Sequence, residues 1–157
     1  MELIEITPPV SIGRFALRGL LELNAADLEH RLLLLGGGNG LRGVEPEVLS
    51  GPNLILINLE YRTRPLVFHT LHIGLVFFYD AGSAYGPNSM PPYDSPNLTH
   101  TIGIGIRAMF PQLNKLPIRI DIGYTLNGQR PSFIGSTSAS YGQIFDYRPG
   151  ILNQFAD

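Results

Sequence analysis

The stretch "NLILINLEYRTR" (Asn53–Arg64) alternates residue by residue. Ile55, Ile57, Leu59 and Tyr61 fall on one side, and Asn58, Glu60, Arg62 and Arg64 on the other. A period of two is strand spacing, because successive side chains of an extended backbone point to opposite faces. One face of this strand is therefore apolar and ends in an aromatic, and the other is polar and charged. Three more stretches repeat the pattern. Thr101–Phe110 sets Ile102, Ile104, Ile106, Ala108 and Phe110 against Thr101, Gly103, Gly105 and Arg107. Ile118–Thr125 sets Ile118, Ile120, Ile122 and Tyr124 against Arg119, Asp121, Gly123 and Thr125. Thr70–Gly82 sets Leu71, Ile73, Leu75, Phe77 and Tyr79 against His72, Gly74 and Asp80, although Val76 and Phe78 interrupt the polar side.

Extending this reading predicts long strands at Arg14–Asn24, Asn53–Arg64, Thr70–Gly82, Thr99–Phe110, Pro117–Leu126 and Thr137–Tyr147, with a short one at Glu2–Ile6. Ala25–Leu35 is the best helix candidate. Turn material separates the strands: Gly51-Pro52, Gly86–Asn97, Asn114-Lys115 and Asn127–Ser132. No boundary divides the chain, so residues 1–157 read as one domain.

A soluble sandwich also alternates, with its polar face in water. Two features favour a membrane barrel. The strands approach the ~9–11 residues a tilted strand needs to cross a bilayer, against about 5–6 for a usual soluble strand. No charge interrupts the apolar face of the four strands above, and an Arg or Lys there would cost about 2–4 kcal/mol at mid-bilayer.

Composition excludes several classes. Charged residues are 15% of the chain, below the roughly 25% of soluble domains. The net charge of -2 and the lack of basic blocks argue against a nucleic-acid partner. There is no cysteine, hence no disulfide and no thiolate chemistry. No stretch nears the ~18 apolar residues of a membrane helix, and MELIEITPP has no signal-peptide pattern. His30, His69, His72 and His100 lack metal-ligand spacing. Ser136, Ser138 and Ser140 beside Tyr141 read as a polar strand face, and Arg107 is placed to pair with Asp121. No P-loop, GxSxG or HExxH motif occurs. The expectation is a non-enzyme with no metal and no cofactor.

One loop stands apart. "LGGGNGLRGVEP" (Leu35–Pro46) holds five glycines and Arg42. Glycine costs backbone entropy, so such a cluster points to tight bending or close approach. Read from the residues alone, Arg42 is either solvated on a turn or delivered to the polar strand faces.

Taken in order, "LGGGNGLRGVEP", "NLEYRTRPL", "FFYDAGSAYG", "GIGIRAMFP" and "PIRIDIGYTL" resemble the C-terminal barrel half of the BamA-like superfamily, the bacterial surface antigen family. The likeness runs from about Phe15 to Tyr147. It implies an antiparallel transmembrane β-barrel, partial in this chain, in an outer membrane, that inserts or translocates proteins without catalysis. The partners it implies are outer-membrane lipid and an unfolded or secreted client protein. In that family the Gly-rich loop folds inward, and its arginine, in a V/L-R-G-F/Y signature, reaches acids on the following strands. Carried over, the loop contributes Gly38, Gly40, Leu41, Arg42 and Gly43, and the acids are Glu60 and Asp80. Val44 stands where an aromatic is usual.

A closed bacterial barrel has about eight or more strands, and an open sheet cannot leave its edges unpaired in lipid. POTRA modules, which precede the barrel in the family, are not found here. The chain is thus expected to be a portion of a larger barrel, or to complete one with a second chain or copy. Two other readings stay open: the membrane-anchoring barrel of a larger patatin-like phospholipase, and a soluble β-sandwich binding module.

Overall fold

The alternating stretches form strands. A computed structural model describes residues 1–8, 12–23, 32–37, 40–45, 48–110, 114–126 and 134–138. Its strands are β1 (Glu2–Ile6), β2 (Gly13–Glu22), β3 (Leu33–Leu35), β4 (Leu49–Gly51), β5 (Asn53–Thr63), β6 (Leu66–Phe68), β7 (Leu71–Tyr85), β8 (Thr99–Phe110), β9 (Asn114–Thr125) and β10 (Ile134–Ser138). They build an eight-stranded sheet in the order β1-β2-β5-β7-β8-β9-β10, with β6 pairing β7 off that path. Every pairing in it is antiparallel. β3 and β4 form a separate hairpin.

Three expectations change here, the first being that Asn114-Lys115, expected as a turn, opens β9. Part of the proposed helix Ala25–Leu35 is strand, since Leu33–Leu35 pairs with Leu49–Gly51; residues 25–31 lie outside the described part. An unbroken leucine run carries no period, so only its distant partner reveals a strand. The last strand, expected at Thr137–Tyr147, is described over Ile134–Ser138, and residues 139–147 lie outside the described part.

Register converts the alternation into two unlike faces. One row runs Phe15–Tyr61–Phe77–Ile104–Ile122 across β2, β5, β7, β8 and β9, and its neighbour runs Leu17–Leu59–Tyr79–Ile102–Tyr124. These side chains are exposed: Ile57, Leu59, Leu75, Phe77, Ile104 and Ile120 lie between 40 and 46%. Tyr61 packs between Phe15 and Phe77, with ring centroids 5.0 and 6.5 Å apart. A continuous apolar surface of this kind marks contact with a membrane or a partner.

The opposite face is covered by the segment from β3 to β4. Leu35, Leu41, Val44 and Leu49 from that segment bury themselves on Leu54, Leu56 and Ala84 of the sheet. Phe78, which breaks the polar pattern of β7, is 5% exposed and lies under the Arg42 guanidinium of that segment, so it is apolar on the "polar" side where this side is roofed. Val76, the other break in the pattern, is 1% exposed. Val44 takes part in this cluster, and its carbonyl accepts from the Gly37 N–H at 2.9 Å.

Candidate functional site: an arginine loop seated on the sheet

The roofing segment turns through left-handed glycines. Gly40 has φ of 96° and Gly43 of 81°, conformations that L side chains rarely adopt. A Cβ on Gly40 would come within 2.5 Å of Leu56 Cδ2, so the bend also brings backbone against the wall. The Asn58 amide donates to the Gly40 carbonyl at 2.6 Å and to Asp80 Oδ1 at 2.8 Å. Asn58 and Asp80 are direct cross-strand partners on β5 and β7, and Glu60 lies two residues further along the same face.

Arg42 enters between these groups and is 4% exposed. Its Nε donates to Asp80 Oδ2 at 2.8 Å and its Nη2 to Asp80 Oδ1 at 2.7 Å, a two-pronged bond. The backbone N–H of Arg42 also donates to Asp80 Oδ2, at 3.2 Å. Nη1 donates to Glu60 Oε1, and Glu60 Oε2 accepts from Arg62 Nε at 2.9 Å. Beneath the guanidinium lies the Phe78 ring, 3.7 Å from Cζ to the ring centroid, a cation–π contact. Asp121 of β9 stands 3.9 Å from Arg42 Nη1 and is held by Arg107 through both Nη1 and Nη2. Glu60 and Asp80 are fully buried. Burial works against the Arg42 charge, but the Asp80 hydrogen bond and the Glu60, Asp80 and Asp121 carboxylates more than offset it, so its pKa is raised.

The structure therefore brings Gly40, Leu41, Arg42, Gly43, Glu60 and Asp80 into one place, while Gly38 lies outside the described residues. Leu41, fully buried, belongs to the apolar cluster rather than to the charged one. Sequence reasoning did not single out Asn58, Phe78 or Thr125 as loop contacts. The signal for Asn58 was present, since it shares the face of Glu60. Asn58→Ala removes two donations, one to a buried carboxylate, and is expected to cost about 1.5–3 kcal/mol in denaturant unfolding. The residue should then also leave the Gly40 carbonyl without that donor.

The chemistry available here is mechanical. Loop contacts reach β5 through Asn58 and Glu60, β7 through Phe78 and Asp80, and β9 through Thr125, whose Oγ1 donates to the Gly43 carbonyl at 2.8 Å. The loop thus lies across neighbouring strands and ties them together. Among the described residues no group of three or more His, Asp or Glu is placed to hold a metal ion.

A family model described as the Omp85 superfamily domain matches residues 29–145, well over half of the chain. No curated protein and no solved structure matches it.

Proposed function

The chain belongs to the Omp85 superfamily, and from that membership we propose that it is the barrel wall and internal loop of an outer-membrane machine that inserts or translocates proteins. Superfamily members are outer-membrane proteins of Gram-negative bacteria and organelles. The observation that carries the reading is the back-to-back arrangement of the sheet. Across β2, β5, β7, β8 and β9 one face presents continuous apolar rows, and the other bears a charged loop buried on it. Lipid is the solvent that suits the first face, since strands with satisfied ladders and apolar outer side chains are what a bilayer accepts.

On this reading Arg42 braces the wall, and the protein works by shape and not by covalent chemistry. The client is an unfolded polypeptide on its way into or across the membrane. The remaining strands come from elsewhere in a larger barrel or from a second chain or copy.

Spin labels test the membrane half of the proposal. Labels at Ile57, Ile104 and Ile120 in the protein reconstituted in lipid should relax with lipid-soluble oxygen. Labels at Arg62 and Thr99, on the loop-facing side, should respond to a water-soluble relaxant. Equal response at all five positions would exclude a bilayer on one side. The functional half is tested by depletion in cells: surface levels of inserted or secreted clients should fall, and a complementing Arg42→Ala copy should restore them poorly.

A further inference from the structure

Two glycines of the wall lie where side chains could not, Gly123 against the loop and Gly103 against the ring beneath the Arg42 guanidinium. Phe78, Gly103 and Gly123 are consecutive partners across β7, β8 and β9. A Cβ on Gly103 would meet the Phe78 ring at 2.2 Å, so that ring lies over Gly103. A Cβ on Gly123 would lie 2.6 Å from both the Cα and the N of Gly43 and 3.0 Å from the Arg42 carbonyl carbon. The relation is reciprocal, because a Cβ on Gly43 would meet the Gly123 Cα at 2.8 Å and the Tyr124 N at 2.9 Å. Backbone rests directly on backbone.

We infer that Gly103 and Gly123 are positioning residues, a two-glycine seat that receives the Phe78 ring and the Arg42–Gly43 backbone and sets the depth at which the loop docks. The inference rests on the reading of the loop as a brace, but it concerns how the loop is held. The ion pairs fix the guanidinium on β5 and β7. The seat fixes the backbone on β9, helped by Thr125 Oγ1 and the Gly43 carbonyl. A methyl at Gly123 leaves every charge in place and lifts the backbone. At Gly103 it displaces the ring on which the guanidinium lies. Neither position can move its obstacle cheaply: Gly123 faces backbone, and Gly103 also faces the Ile122 carbonyl oxygen at 2.3 Å.

Trypsin reads the docking directly, because the bond after Arg42 is its site and Arg42 is buried. The experiment compares Gly123→Ala, Gly103→Ala and Thr125→Val with Gly19→Ala, where an added Cβ meets nothing within 4 Å. All are made in the full protein folded in lipid vesicles. Cleavage after Arg42 should rise more than tenfold in Gly123→Ala and clearly in Gly103→Ala. Thr125→Val should give about threefold to tenfold, the range of one lost hydrogen bond. Gly19→Ala should match the unaltered protein. Thr125→Val keeps the proposal testable should either glycine variant fail to fold, since it adds no atom against the backbone. Unchanged cleavage in Gly123→Ala, or in Thr125→Val where that variant alone folds, overturns the seat. Cleavage does not depend on client transport, so a transport defect without exposure of Arg42 would count against the seat and leave the brace untouched.

Discussion

Arg42→Ala is expected to destabilise the protein by about 3–5 kcal/mol, the cost of removing one partner from a buried ion set. The magnitude follows from burial, because Arg42 is 4% exposed and both carboxylates are fully covered. Without the guanidinium, Asp80 keeps only the Asn58 amide of the side-chain donors described above, and Glu60 keeps Arg62. Two buried carboxylates then face each other on neighbouring strands without the three guanidinium donations that Arg42 made to them. Arg42→Lys should recover part of the loss only. An ammonium is a point charge and cannot place parallel N–H groups on Asp80 while a third reaches Glu60. The cation–π contact with Phe78 favours a flat guanidinium as well.

The measurement is a double-mutant cycle between Arg42→Ala and Asp80→Asn, read as denaturant unfolding in lipid. Once Arg42 is absent, neutralising Asp80 relieves an uncompensated buried charge. The double variant should therefore be more stable than the sum of the singles implies. Strict additivity would mean that the two side chains do not interact, and the brace would fail as an idea.

Much of this arrangement could be read in the sequence, for identifiable reasons. Strand faces were legible because a sheet with two unlike faces repeats every second residue; Ile57 against Asn58 is enough to orient β5. The meeting of Arg42 with Glu60 and Asp80 was legible from family resemblance and from the face on which both acids fall. Other features were not, because their cause lies across the fold. Phe78 looked like a flaw in an alternating strand until the loop above it was in place. Leu33–Leu35 had no period to distinguish strand from helix, and its partner Leu49–Gly51 sits beyond the loop. Gly123 was one small residue among several on a polar face. What distinguishes it from Gly19 is the approach of Gly43, and no local pattern encodes that.

Ile104→Arg separates a bilayer from water as the medium of the apolar face. Ile104 lies on β8 between Phe77 of β7 and Ile122 of β9, and is 43% exposed. If water bathed this face, an arginine would keep its hydration, and the change would stay within about ±0.5 kcal/mol, as for most surface positions. In lipid the same guanidinium must be dehydrated or must drag water and headgroups inward, and the cost at the midplane is about 2–4 kcal/mol. The depth dependence supplies an internal control. Leu66 lies in β6, at the hairpin tip joining β5 to β7, pairs with Ile73 on the same apolar face, and is 63% exposed. Near a membrane interface an arginine costs about 0–1 kcal/mol, so Leu66→Arg should change little. Urea unfolding of both variants in vesicles, beside the unaltered protein, gives the two numbers. A loss at position 104 that clearly exceeds the loss at 66 is the signature of a hydrocarbon slab centred on the Phe15–Ile122 row. Equal and small losses at both would place the face in water, and the Arg42 loop would then brace a soluble sheet.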